Sequence, residues 1–243
     1  MEREPPANAI RARGLTRQFA SRRAVDGIDL DVPRGQALAL FGPNGAGKST
    51  LIQLLTLQLR PTRGSFTIDG LEPRRDGVAL RRRLGVLSHQ SFLYDDLTAA
   101  ENLEFFARLY GVDDPRSRCR ELLDLVDLGN RGDDRVGSFS RGMQQRVALA
   151  RALVHDPAIL FLDEPFTGLD PDASRKLCAT LNRLRGDART LLLVSHDLAQ
   201  GIELSDRWII LRSGRIAADG VSAETDAASF ESVYFDSLRR ARA

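Results

Sequence analysis

The sequence predicts an α/β protein with a mostly parallel sheet, interrupted by an all-helical insertion. Three observations predict it. Apolar strand-like runs alternate with helical stretches along most of the 243 residues, as in a parallel sheet covered by helices on both faces. Several runs, "QALALF", "AILFLDEP" and "TLLLVSH", are apolar without alternation, which is the pattern of strands buried on both sides. Between residues 91 and 137 strands are absent and two helices follow one another.

The elements follow in order. "AIRARGLTRQF" alternates weakly and "VDGIDLDV" more clearly, giving two strands before "QALALF". That third strand runs into "GPNGAGKST" and then "LIQLLTLQL", a helical pattern ended by "RPTRG". "GSFTIDG" reads as a strand between glycines, and "RLGVLSHQ" as another after a basic, helix-like stretch. In the insertion, "LTAAENLEFFARLYG" and "PRSRCRELLDLVDLG" are amphipathic helices, each closing on its glycine. Thr98 and Glu101 form a capping box at the first of them. "SFSRGMQQRVALARAL" is a polar turn followed by a helix. Met143, Val147, Ala150 and Val154 share one face of it, Ser140 sits at the N-cap, and Gly142 lies in the first turn. After "AILFLDEP" come the helix "DASRKLCATLNRLRG", the strand "TLLLVSH", a short helix, and "RWIILRSGRIAADG", a hairpin about a Ser-Gly turn. Residues 8–220 thus form one unit with its helical part at about 91–139, and 221–243 is a tail, a regulatory helix or simple packing.

Composition narrows the function classes. The net charge is only +2 and both signs are mixed along the chain, which argues against nucleic acid as a partner. Cys119 and Cys178 are far apart and match no metal or redox spacing. No apolar run approaches the roughly 18 to 20 residues that span a membrane. The N-terminal "MEREPPANAI" lacks the apolar core of a signal peptide. The expectation is a cytoplasmic chain whose membrane role, if any, comes through a partner. Among 35 basic residues lysine occurs only at Lys48 and Lys176. Where charge alone suffices this chain uses arginine, so Lys48 points to chemistry that arginine cannot do.

"GPNGAGKS", residues 42–49, fits G-x-x-x-x-G-K-[ST] with a strand before and a helix after. Its glycines allow backbone N–H groups to close around phosphate, and the helix adds its positive end. The cradle comprises Gly42, Pro43, Asn44, Gly45, Ala46, Gly47, Lys48, Ser49 and Thr50. Lys48 reaches the β- and γ-phosphates, and Ser49 offers an oxygen to Mg2+. "ILFLDEP" spills Asp163 and Glu164 at the end of a buried strand, the ligand edge of an α/β sheet. Asp163 is a direct or outer-sphere partner of Mg2+, and Glu164 orients or deprotonates the attacking water. His196 ends a third strand at the same edge, placed to hydrogen-bond the γ-phosphate and the water. Gln90, at a fourth strand end, is within reach of Mg2+ or the water, while the neighbouring His89 is given a structural place. The start of the helix at Ser140 and Gly142 is a second anion site.

Together these motifs resemble the ATP-binding-cassette (ABC) ATPase family over about residues 8–220. The order matches: phosphate cradle, Gln90, signature at 139–143, the acidic strand end, "GLDP" at 168–171, and His196. The resemblance implies a P-loop NTPase (RecA-like) core with an antiparallel β subdomain and an inserted α-helical subdomain. It implies ATP hydrolysis with ATP and Mg2+, and a head-to-tail homodimer sharing two ATP sites. Each ATP then lies between the cradle of one subunit and the signature of the other, which explains the second anion site. Ser140, Arg141, Gly142 and Met143 act on the partner's ATP, and Asp170 couples the sites across the interface. Phe19 matches the family's adenine-stacking aromatic, though the residue alone reads equally as core. The family's common signature is L-S-G-G-Q; "FSRGM" keeps Ser140 and Gly142 but has Arg141 and Met143 in place of glycine and glutamine. One cassette with no membrane span implies a separate integral membrane permease. Within the family, "SFLYDDLT" and "ENLEFFARLYG" look most like the ATPase of the bacterial haem exporter of cytochrome c maturation. That likeness implies haem export and cytochrome c biogenesis subunits as partners. The alternative is a generic drug, lipid or polysaccharide exporter. Non-transport members of the family carry two cassettes, long coiled coils or zinc modules, and none is legible here.

Overall fold

The computed structural model describes residues 8–88, 90–186 and 189–239. The chain begins with strands β1 (Asn8–Phe19), β2 (Arg22–Pro33) and β3 (Ala37–Phe41). Helix α1 (Lys48–Leu55), β4 (Arg63–Ile68), α2 (Pro73–Arg81) and β5 (Leu84–Leu87) follow. Three helices come next: α3 (Ala99–Tyr110), α4 (Pro115–Leu125) and α5 (Arg141–Leu153). The last part holds β6 (Ile159–Asp163), α6 (Pro171–Gly186), β7 (Thr190–Val194), α7 (Leu198–Glu203), β8 (Arg207–Arg212), β9 (Arg215–Val221) and α8 (Ala227–Arg239).

The strands form two sheets. β2, β1 and β4 make an antiparallel sheet in that order. The second sheet has the order β5-β6-β7-β3-β8-β9, parallel throughout except for β9, which returns from β8 as a hairpin. Every residue of β3 and β7 is buried, because both faces of this sheet are covered. On one face Leu38, Leu40, Phe161 and Leu192 pack with Leu51, Ile52 and Leu55 of α1 and with Ile28 and Leu30 of the antiparallel sheet. On the other, Leu160, Leu162, Leu191 and Leu193 meet α5 and α6. Two-sided burial is why these strands carry no polar alternation. Register then aligns their ends: Leu40 pairs with Val194, and Val194 with Asp163. Residues that follow these three strands emerge side by side.

In the insertion Thr98 and Glu101 make the expected reciprocal cap, and α3 closes on Gly111 in the left-handed conformation. The second helix departs from the sequence reading. α4 ends at Leu125, short of Gly129, and Asp127 takes the positive φ of 54°. The cause is tertiary. The buried Arg146 of α5 donates Nη1 to the carbonyls of Val126 at 2.8 Å and Asp127 at 3.2 Å, supplying the terminal acceptors with a partner. α5 also departs. The stripe of Met143, Val147, Ala150 and Val154 understates it, because Arg146, Ala148, Leu149, Ala152 and Leu153 are buried too. Helices and sheet enclose it on most sides.

The segment after Val221 folds back onto the core as α8. Phe230 is fully buried, its ring centroid 4.8 Å from Phe41 and 4.9 Å from Trp208. Phe230→Ala is expected to lower folding stability by about 3 kcal/mol, since a cavity opens between α8 and the sheet at Phe41 and Trp208. Urea unfolding checks this, and an unchanged midpoint would mean that α8 does not brace the sheet. No helix among the described residues is long and apolar enough to cross a membrane.

Candidate active site

The loop from Gly42 to Gly47 connects β3 to α1 at the aligned strand ends. Its N-cap, Gly47, gives α1 no side-chain cap, so the first N–H groups of the helix stay available to an anion. Gly47 has φ 108°, and a Cβ there would lie 2.1 Å from the Ala24 carbonyl oxygen. Only glycine lets the loop lie this close to β2. Further contacts clamp it. Gly214 of the β8–β9 turn donates its N–H to Ala46 O at 2.8 Å, and Arg22 donates Nη2 to Gly45 O at 2.9 Å. Lys48 is buried, and Nζ donates to Gly42 O at 2.6 Å and Pro43 O at 3.2 Å. Burial lowers its pKa, and the nearby carboxylates of Glu164 and Asp163 oppose that.

A cavity of about 530 Å³ opens over this loop. Asn44 to Thr50 form its floor, Asp163, Glu164 and His196 one wall, and Phe19, Arg22 and Ala24 another. Phe19 is not a core residue. It is 44% exposed at the cavity rim, with the Arg17 guanidinium 4.5 Å from its ring centroid. Arg22 is the residue that sequence reasoning missed. It sits three positions past Phe19, and only the β1–β2 turn brings it over Gly45.

Glu164 follows β6 with φ 54°, a conformation rare outside glycine that costs about 1–2 kcal/mol. Its N–H donates to Val194 O at 3.0 Å, which turns the side chain toward His196. Oε2 accepts the His196 N–H at 3.2 Å, and Oε1 lies 3.1 Å from His196 Nε2. Burial raises the Glu164 pKa, against the lowering effects of His196 and Lys48. A carboxylate held up in this way beside a buried lysine and a glycine-rich loop can accept a proton.

Other expected site residues lie apart. Gln90 is exposed and does not line the cavity; its carbonyl accepts from Ser88 Oγ at 2.8 Å. His89 lies outside the described residues. Ser140 caps α5, its Oγ accepting the Met143 N–H at 3.3 Å. Ser140 and Arg141 are exposed, and none of Ser140, Arg141, Gly142 and Met143 lines the cavity. Asp170 caps α6 within its own chain, Oδ1 accepting the Ala173 N–H at 2.9 Å. Among the described residues no cluster of three or more His, Cys, Asp or Glu could hold a metal by itself.

Residues 25–167 match the family described as ABC transporter. The chain belongs to this family. It is an ATP-binding and ATP-hydrolysing member, with the ABC ATPase fold expected from its sequence. It is 38% identical over 221 residues to the daunorubicin resistance ATP-binding protein DrrA3 of Streptomyces coeruleorubidus, covering 90% of this chain and 70% of that one. It is 42% identical over 213 residues to a fluoroquinolones export ATP-binding protein of Mycobacterium tuberculosis (strain ATCC 25618 / H37Rv), covering 86% of this ABC protein and 69% of the relative. Among solved structures, the dimeric post-hydrolysis state of the ATP-binding cassette MJ0796 bound to ADP and Pi superposes with a TM-score of 0.79 at 28% identity, over 88% of this chain and 98% of that one.

Proposed function

We propose that this chain is the ATPase subunit of an export-type ABC transporter, acting as a homodimer on the inner face of the membrane beneath a permease. The observation that carries the reading is the convergence of Lys48, Asp163, Glu164 and His196 on one cavity while Ser140 and Arg141 stay outside it. A second copy, packed head to tail, supplies the signature. The Ser140 hydroxyl, whose oxygen already accepts from Met143, keeps its own proton to donate to the partner's γ-phosphate. Arg141, Gly142 and Met143 line that approach, and Asp170 lies at the interface. That the MJ0796 cassette is dimeric supports the pairing of two copies.

In each site, the N–H groups of the loop from Gly42 to Thr50 hold the phosphates and Lys48 neutralises them. Phe19 stacks on the adenine. Asp163 and Ser49 line the same cavity, and a carboxylate with a hydroxyl and phosphate oxygens is a donor set that suits Mg2+. Those two residues would hold the ion, Gln90 being outside the cavity, and the ion would offset charge on the phosphates. Glu164 accepts the proton of the attacking water, and His196 fixes that carboxylate and reaches the γ-phosphate.

For the cargo, the drug-resistance and drug-export names of the relatives support the generic exporter. They give no support to haem export or to cytochrome c biogenesis partners. The test is isolation of the tagged protein from native membranes in mild detergent. One permease of the drug-export kind is the expected companion. Recovery of cytochrome c assembly subunits would replace this reading, and recovery of no membrane protein would sink transport. A second prediction concerns the signature. Ser140→Arg should slow hydrolysis by about 100-fold, the effect of losing one phosphate donor, while ATP binding to the subunit's own cradle persists. Equal loss of binding and turnover would show that Ser140 serves its own site.

A further inference from the structure

Around the start of α5 the chain makes contacts that ATP chemistry does not explain. Gly168 has φ 74°, and a Cβ built on it would lie 2.8 Å from both Nε and Cζ of Arg141 and 3.1 Å from Nη1. The guanidinium therefore lies against the backbone of Gly168 where any side chain would be. Gln145, one turn on, donates Nε2 to the Pro165 carbonyl at 3.0 Å. Between them Gly142 abuts α6: a Cβ there would lie 2.7 Å from Ala173 Cβ and 3.9 Å from Leu169 Cδ2. Met143, Phe166 and Leu169 pack against the same apolar core. Apart from Ala173 at the start of α6, these partners belong to the turn that follows Glu164. That turn is itself compact, with Thr167 N–H on Glu164 O at 3.2 Å and Leu169 N–H on Phe166 O at 3.1 Å.

We propose that Arg141 and Gln145 are positioning residues that fasten the start of α5 to the Glu164–Asp170 turn of the same subunit. This rests on the head-to-tail reading above and deepens it. The signature serves the partner's ATP, whereas Glu164 serves the subunit's own. A strut between them makes the two sites of the dimer move together. The arginine in "FSRGM" is then explained by the missing side chain at Gly168. Its planar head covers a glycine backbone, which a glycine at 141 cannot do and a lysine would do poorly.

A dimer of two differently tagged chains separates this from a direct role at the partner's phosphate. One chain carries Glu164→Gln, so a single live site remains, and single-turnover hydrolysis is read there. With Arg141→Met in the chain whose Glu164 is intact, the strut predicts about a tenfold slower rate, the scale of a misplaced catalytic group, with the KM for ATP unchanged. Arg141→Lys in that chain should behave similarly. With Arg141→Met in the same chain as Glu164→Gln, the live site keeps its own strut but faces the altered signature, so the loss should be clearly smaller than in the first arrangement. The reverse pattern, an equal loss in both arrangements, or no loss in either would overturn the proposal. Gly168→Ala gives a second reading. It should slow turnover more in the presence of Arg141 than beside Arg141→Ala, and simple additivity would count against the contact. Sizing with ATP and Mg2+ comes first: a chain that stays monomeric fails the dimer reading, a result distinct from a dimer in which Arg141 has no effect in cis.

Discussion

Lys48→Ala is expected to weaken ATP binding by at least about 100-fold and to abolish measurable hydrolysis. Lys48 is 7% exposed, and its ammonium already donates to the Gly42 and Pro43 carbonyls. It is thus held inside the cradle before any nucleotide arrives. Charge-assisted hydrogen bonds contribute about 1.5–3 kcal/mol each. Losing contacts to two phosphates therefore costs about 3–6 kcal/mol, a factor of roughly 100 or more in affinity. Burial pushes the Lys48 pKa down, and a triphosphate pulls the other way, so binding should favour the charged form. Lys48→Arg should fare little better, because the wide guanidinium does not fit between those carbonyls and the phosphates. Fluorescent-nucleotide titration and phosphate release measure both quantities. Ordinary affinity in Lys48→Ala would remove the cradle from the mechanism.

Glu164→Gln separates binding from chemistry. The variant keeps the shape of the site and should bind ATP, hydrolyse it about 100- to 10,000-fold more slowly, and accumulate as dimers on sizing with ATP and Mg2+. The pH dependence follows from burial. Burial raises the Glu164 pKa above the ordinary carboxylate value, and a base must be unprotonated to act. Turnover of the parent protein should therefore fall on acidification through that raised value, and the residual rate of Glu164→Gln should lack this limb. The stability sign is opposite. A carboxyl whose folded pKa is raised favours the folded state when protonated, and that advantage is lost as pH rises through the folded value. At neutral pH the buried charge is unfavourable, so Glu164→Gln should resist urea at least as well as the parent. A clear loss of stability there would show that the His196 contacts outweigh burial. Turnover near the parent rate would take the proton-accepting role away from Glu164.

Most of the cavity was legible in the sequence because it depends on residue types at fixed short offsets. A strand, three glycines, a lysine and a serine within nine residues admit few other conformations. Asp163, Glu164 and His196 were placed by one rule, that ligands gather at the carboxyl ends of parallel strands, and the register of β3, β6 and β7 brings the ends of those strands together. Arg22 was not legible, since nothing near it in sequence says that the β1–β2 turn folds over Gly45. Nor was the positive φ of Glu164, which depends on Val194 and His196, thirty or more residues away.

Local sequence suffices for the strand-and-helix order, the glycine-rich loop between β3 and α1 and the capped start of α3, because each is decided by neighbours within a turn or two of chain. The tertiary structure decided where α4 stops, what lies over Gly168 and Gly142, and that the tail packs on Phe41 and Trp208. Those outcomes rest on contacts between residues twenty to nearly two hundred positions apart. Such contacts form only after the sheet has aligned its strands, and no local preference of Arg146, Arg141 or Phe230 announces the partner it will meet.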